Sequence, residues 1–253
     1  MPNTDLCVIL AAGNGRRLAS MSKEVPKPLV RLHGAPLLEH VMLGAREAGI
    51  GRFVIVLGYQ AEMVRRWFLE SSLRRTPVAW VENSDYLKNN GISLLKARHV
   101  VDQPFLLLMA DHIFEPKTAA RLLRQPLRAD EVILGVDHKL DRIFDLDDAT
   151  KVLRTGQYIT RIGKTLLRYD AADTGMFVCT PSIFDSLEAV VKDGNCSLSD
   201  GMQHLASNRK LRAFDIGDAL WQDVDTPEAF HFAECLFSTG NLYLPPVEEV
   251  ARA

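Results

Sequence analysis

The chain has 253 residues, a formal net charge of -2, 47% hydrophobic and 25% charged residues. These are ordinary values for one large globular domain and a poor match to a nucleic-acid surface. No stretch approaches the ~20 apolar residues of a bilayer span, and "MPNTDLCVILAAG" puts an acid rather than cations before its short apolar run, so no signal peptide is read and a cytoplasmic location is expected.

Taken in chain order, "LCVILAAG" (6–13) reads as a buried strand and "APLLEHVMLGAREAG" (35–49) as a helix stopped by Gly49. "RFVIVLGY" (52–59) is a second strand, followed by a helix over "QAEMVRRWFLESSLR", a third strand at "PVAWVEN" (77–83), a helix at "GISLLKARHVV" and a fourth strand at "PFLLLMAD" (104–111). This alternation predicts βαβ units in an α/β fold with a doubly wound, mostly parallel central sheet. From about residue 131 the pattern changes: "EVILGVDHKL" is a strand, "DLDDATKVLRTGQYITRIGKTL" a small meander turning at "RTGQ", and "DTGMFVCTP" a strand. Two helices follow, then a last core strand "LRAFDIG" and a helix over "TPEAFHFAECLF", with Thr226 as cap and Pro227 at its first position. One domain over 1–237 is expected, then a C-terminal extension over 238–253 that serves as a surface or interface element, with a homodimer as the assembly considered. Cys7, Cys179, Cys196 and Cys235 form no CxxC pair and read as reduced structural thiols.

The stretch "LAAGNGRRLASMSKEVPKPL" packs glycines, cations and prolines directly after the first strand. A dinucleotide fingerprint would need a glycine where Leu18 stands, and a P-loop would end in GK[ST]. Neither is present. What is left is a loop, Leu10, Ala11, Ala12, Gly13 and Gly15, whose backbone amides can cradle a phosphate chain. Arg17 offers a planar fork to phosphate oxygens and Lys27 a point charge on a backbone stiffened by Pro26 and Pro28. The alternative is a solvated basic loop.

Asp111 ends the most apolar run, "FLLLMAD", at the edge where ligands of such sheets bind. Asp223 and Asp225 alternate in "WQDVDTPEAF" and project to one side of an extended segment; Asp225 could equally cap the following helix. His112 has no second histidine at ligand spacing, so it reads as a neighbour of the metal acids or a wall of the acceptor site. The acid-rich "DHKLDRIFDLDD" lacks an EF-hand's glycine and terminal glutamate, and no GxSxG or HExxH occurs.

"LAAGNGRRL…PKPLVRLHGAPLLEHV" resembles the signature of the sugar-phosphate nucleotidyltransferase (pyrophosphorylase) superfamily, a Rossmann-like fold, over roughly residues 5 to 237. Arg16 stands where threonine is common. The resemblance implies that Arg17 and Lys27 contact a nucleoside triphosphate and that Asp111, Asp223 and Asp225 hold Mg²⁺. Within the superfamily, "YLKNNGISLLKA", "DLDDATKV", "IGKTLLRYDAADTGMFVCTPSIFD" and "WQDVDTPEAF" resemble the cytidylyltransferases that use CTP and inositol 1-phosphate. This implies Lys164, with Lys151, at an incoming phosphate, and Asp173, with Asp145, at acceptor hydroxyls, the acceptor elements lying mainly in 131–180. Asn83, Asn90, Gly91 and Ser93 are suited to reading a flat base. Members are often fused to a membrane-embedded synthase; no such segment is visible here, so a separate synthase is the expected partner. Open alternatives are a phosphocholine cytidylyltransferase, a sugar-1-phosphate nucleotidyltransferase and a non-catalytic nucleotide-binding regulator.

Overall fold

The computed structural model describes residues 4–18 and 25–239. Segment 19–24 of the basic loop, the side chain of Arg16 and the extension from residue 240 onward lie outside the described residues. The strands are β1 (Leu6–Ala11), β2 (Arg31–Leu32), β3 (Ala35–Pro36), β4 (Arg52–Leu57), β5 (Val78–Glu82), β6 (Phe105–Met109), β7 (His112–Phe114), β8 (Val132–Asp137), β9 (Lys151–Thr155), β10 (Tyr158–Gly163), β11 (Ala171–Cys179), β12 (Leu211–Asp215) and β13 (Trp221–Asp223). The helices are α1 (Leu37–Glu47), α2 (Ala61–Glu70), α3 (Asn90–Lys96), α4 (Pro116–Leu123), α5 (Ser182–Glu188), α6 (Leu198–Ser207) and α7 (Pro227–Ser238).

Nine strands form one sheet in the order β5-β4-β1-β6-β11-β8-β12-β10-β9. The pairs β4–β5, β1–β4, β1–β6 and β8–β12 are parallel, whereas β11 runs antiparallel to both β6 and β8. Six of the first seven strands therefore point one way and β11 alone is reversed. The reversal matters for function: it brings the start of β11 to the edge where β1, β6 and β8 end.

Side-chain alternation along β1 sends Cys7, Ile9 and Ala11 into a core shared with α1, α2, α4 and α7. Leu6, Val8 and Leu10 enter the opposite core with α3, α5 and α6. Helices cover both faces, so β1 is buried at all six positions and reads as an unbroken apolar run.

Some expected boundaries move. The helix expected over 35–49 begins at Leu37, because Ala35 and Pro36 pair with Arg31 and Leu32 as a small hairpin. The strand expected over 104–111 stops at Met109, and residues 112–114 leave the main sheet to pair with β13. The helix expected over 91–101 closes at Lys96, with a 3-10 turn over Arg98–Val100. The sequence reading passed over α4, although Pro116 at its first turn was an available start signal. All four cysteines are free thiols, three buried and Cys235 exposed.

Candidate active site

The glycine loop is fixed by the residues around it. Gly15 sits at φ +61, and a Cβ there would lie 2.7 Å from Lys27 Cβ, so the bare glycine lets the two halves of the basic segment touch. Leu18 closes a 3-10 turn onto Gly15 O at 2.9 Å and is fully buried. Burial of a leucine contributes roughly 1.5–3 kcal/mol, an anchor beside the half-exposed Arg17. Pro26 at φ -63 leads into the 3-10 turn Lys27–Leu29, and Lys27 is buried with its ammonium turned inward.

Asp111 follows β6, and the polypeptide then turns into the β7–β13 ladder, which sets His112 opposite Asp223. The Val224 N–H donates to Asp111 O at 3.0 Å and locks that corner. One ligand-type atom from each of Asp111, His112 and Asp223 falls within 4.8 Å of the others. The Lys27 ammonium donates to both Asp111 and Asp225. Arg17 donates to Asp225 and, at 2.7 Å, to Asp148. The cap of α7 is Thr226, whose hydroxyl accepts from Ala229 N. Asp225 is therefore engaged with the two cations, and the Lys27 ammonium joins it directly to Asp111 beside the cluster of Asp111, His112 and Asp223. Asp223 Oδ1 is buried without a hydrogen-bond partner.

These contacts set the charges. Enclosure in the cavity wall opposes ionisation of Asp111, but Lys27 and His112 outweigh it and hold the carboxyl well below the usual range. Enclosure also opposes charge on His112, yet Asp223, Asp111 and Asp173 together push it up to about 9. Asp223 is raised by its enclosure and by the Asp111 charge. Asp173 is raised to about 6 by enclosure, against the pull of the Gly175 N–H and His112.

The reversed strand β11 supplies Asp173 to the same edge. Asp173 accepts from Gly175 N at 2.8 Å, within an irregular stretch of the β11–β8 register between Asp173 and Phe177. Gly175 has φ +74 and a Cβ there would lie 2.3 Å from His112 Cδ2, so only glycine allows the imidazole to pack here. Lys164 donates to Asp148 Oδ1 at 2.7 Å, so Asp148 joins Lys164 to Arg17 across the cavity. All three side chains are more than a third exposed, and such pairs contribute about 0–1 kcal/mol. Lys151 instead donates to the Asp147 carbonyl at 2.6 Å and is buried.

One cavity of about 420 Å³ is lined by Leu10, Ala12, Gly13, Arg17, Asn90, Ser93, Asp111, His112, Asp145, Lys164, Asp173, Asp223 and Asp225, a size in the range of small-molecule sites. Lys27 reaches its edge through Asp111 and Asp225. Ala11 faces the core, Asn83 lies behind Ser93, and Gly91 packs against the backbone of Cys196 and Ser197. Sequence reasoning passed over other cavity residues, Asp148 and Trp221 among them. Asp148 lay in the acid-rich stretch weighed as a calcium loop and in the family segment "DLDDATKV", but was not itself singled out. Trp221 stacks on His112 at 6.0 Å between centroids and donates to Asp137 at 2.9 Å; no local pattern flags such a non-local pair.

Residues 7–211 match the MobA-like NTP transferase domain. A bifunctional IPC transferase and DIPP synthase of Rubrobacter xylanophilus is 35% identical over 228 residues, 89% of this chain and 50% of that protein. The protein of the same description from Aquifex aeolicus is 33% identical over 88% of this chain and 50% of its own length. The chain thus spans about half the length of the curated relatives it matches. The solved inositol-1-phosphate CTP transferase from T. maritima superposes with a TM-score of 0.82 at 27% identity, covering 91% of this chain and 95% of that one. Among the described residues no helix is long and apolar enough to cross a membrane. With the glycine loop, the paired cations and the acids of β6 and β13 at one sheet edge, the chain belongs to the MobA-like NTP transferase family.

Proposed function

We propose that this chain transfers CMP from CTP to inositol 1-phosphate, giving CDP-inositol and pyrophosphate. The observation that carries the reading is the convergence of Arg17, Lys27 and Lys164 with Asp111, Asp223 and Asp225 on one cavity edge. A phosphate oxygen of the acceptor bonds to the α-phosphorus of CTP as the bond to the β-phosphate oxygen breaks. That oxygen is already ionised at neutral pH, so no general base is needed. The obstacle is repulsion between two anions, which fixed cations reduce. Arg17 and Lys27 face the triphosphate side, and Lys164, His112 and Asp173 the acceptor side, which elements of residues 131–180 supply.

The site also fits a hard divalent cation. The unpartnered, buried Asp223 Oδ1 and a nearby Asp111 carboxylate are the oxygen donors Mg²⁺ takes. Asp111 and Asp223 would hold it, while Asp225 orients Lys27 and Arg17. Bound there, Mg²⁺ supplies charge neutralisation at the reacting phosphate. A synthase consuming the CDP-alcohol is the expected partner.

Phosphocholine is kept as a second acceptor by one observation: Trp221 and the stacked pair Phe144 and Phe232, with centroids 4.7 Å apart, line the same cavity. Aromatic faces suit a quaternary ammonium. The deciding experiment is pyrophosphate release with CTP, UTP, dTTP, ATP and GTP against inositol 1-phosphate, phosphocholine and glucose 1-phosphate, with Mg²⁺. Release with CTP and inositol 1-phosphate is expected. Release with a different pair would replace the acceptor or nucleotide, and none with any pair would favour the regulator.

A further inference from the structure

Between β8 and β9 the chain runs over residues 138–150 along the cavity, and its burial differs from that of the strand before it. All six residues of β8 are buried, whereas none of residues 138–150 is. The two ends of this segment are tied down. Lys139 donates to Asp137 Oδ1 at 2.8 Å and to the Gly217 and Ala219 carbonyls, and the Thr150 carbonyl accepts from Asp173 N at 2.9 Å. Between them, Asp148 lines the cavity with its side chain 37% exposed. Nothing in the core has to move for that carboxylate to swing into solvent.

Asp148 uses both of its oxygens. Oδ2 accepts from Arg17 Nη1 and Oδ1 from Lys164 Nζ, each at 2.7 Å. Partial enclosure opposes its ionisation, but the bonds to Lys164 and Arg17 prevail and hold the carboxyl below the usual range, so it is charged at neutral pH. An anion with one oxygen on an ammonium and another on a guanidinium fork is bonded as a bridging phosphate would be. The other arm of Arg17, Nη2, donates to Asp225. Removing Asp148 therefore frees one arm of the fork and leaves the second oriented. Lys164 has no other carboxylate partner among the described residues.

We infer that Asp148 is an internal counter-anion to the two phosphate-binding cations, and that its displacement by one substrate phosphate readies the site of the other. The inference rests on the cytidylyl-transfer reading above, which sets the triphosphate at Arg17 and the acceptor phosphate at Lys164. Asp148 cannot yield Arg17 to a triphosphate and stay in place, because the phosphate would then lie against its carboxylate. Each ligand accordingly binds the chain with Asp148 swung out. The first to bind is weakened by the bridge and the second is not, which makes binding positively cooperative. Two anions sharing a cavity without this device would oppose each other. The exposed ion pairs set the scale, since each contributes at most about fivefold.

The test is calorimetry on the full chain with Mg²⁺ and the α,β-methylene analogue of CTP, which cannot release pyrophosphate, with and without saturating inositol 1-phosphate. In the wild type the acceptor is expected to tighten the analogue about 3–10-fold, and the analogue should tighten the acceptor by the same factor. D148N and D148A should bind the analogue alone about 3–10-fold tighter than the wild type does, and the acceptor should then add nothing. Loss of a negative charge by itself would favour each anion separately and leave the effect of one on the other in place. Variants that keep the wild-type coupling, or that bind the analogue alone no tighter than the wild type, would overturn the inference. If inositol 1-phosphate binds neither chain, the proposed reaction loses its acceptor, and the gain in affinity for the analogue, which needs no acceptor, still decides the inference. Pyrophosphate release by a wild type that shows no coupling would overturn the inference alone.

Discussion

The two ends of the cavity recognise by different physics. At one end Arg17, Lys27 and Lys164 lie in a net of ion pairs with Asp111, Asp148 and Asp225. At the other, Asn83, Ser93 and Asn90 are neutral and oriented by backbone donors of Asp85 and Leu198. Charge attracts any phosphate and is indifferent to what the phosphate is attached to. Buried neutral groups with fixed hydrogen-bond partners, such as Asn83 and Ser93, attract little and reject a great deal. In the proposed reaction the first end would supply rate and the second would supply choice.

The largest effects should come from breaking the charged end. Lys27→Met and Asp111→Asn are each expected to lower turnover at least ~100-fold, the scale for loss of a key electrostatic stabiliser, while the ratio of CTP to UTP affinity stays near its wild-type value. Steady-state pyrophosphate release on folded variants checks this; near-normal rates in both would remove the charged end from the mechanism. The next effect separates the acids. Asp223→Asn should raise the Mg²⁺ concentration for half-maximal rate at least ~10-fold. Asp225→Asn, which frees Lys27 and Arg17, should instead raise KM for the nucleotide and leave the Mg²⁺ requirement in place.

How far these two ends could be read without coordinates follows from how local their signals are. Continuous apolar runs marked β1, β4, β6 and β8 because strands buried on both faces have no alternation to hide them. The glycine loop was visible from its spacing, and Arg17, Lys27, Asp111, Asp223 and Asp225 were each singled out. Their grouping came from the family resemblance and from no local pattern. The β7–β13 pairing joins three-residue strands more than a hundred positions apart, so nothing local says that His112 will face Asp223 or that Asp225 will pair with Lys27 and Arg17. Gly91 and Asn83 stood out as polar or flexible residues in a loop, and the structure gives them internal work: one presses α3 against the Cys196–Ser197 backbone and the other orients Ser93. Asp148 and Trp221 act through partners distant in sequence, Arg17 and His112, which periodicity cannot reveal.

Ionic strength sharpens the contrast with a smaller effect. Arg17 and Lys164 are about half exposed, so added salt screens them over the ~8 Å Debye length of physiological solution and less. Raising salt from about 0.05 to about 0.5 M should raise Kd for CTP severalfold, while the ratio of CTP to UTP affinity holds, because buried neutral hydrogen bonds are not screened. Titration calorimetry at the two salt concentrations measures both quantities, and a ratio that collapses in parallel with affinity would mean that base choice is also a matter of charge.

The smallest effect concerns what the charged end costs the fold. Asp173 has a pKa of about 6 in the folded chain against 3.8 for the free side chain, mainly because it is enclosed, with Asp223 adding to the shift. Between those values the folded chain holds a proton that the unfolded chain has released, so the folded state binds more protons and stability falls with rising pH. The contribution is whole below about pH 4 and is lost as pH climbs through about 6. Asp173→Asn has no proton to lose and keeps an oxygen for the Gly175 N–H. In chelator, its Tm should exceed wild type by on the order of 5 °C at pH 8 and match it at pH 4. The same gain at both pH values would assign the difference to packing. A gain confined to pH 8, accompanied by lower turnover, would identify Asp173 as a carboxylate retained for chemistry at the expense of stability, a conflict that the neutral end, which holds no buried charge, does not face.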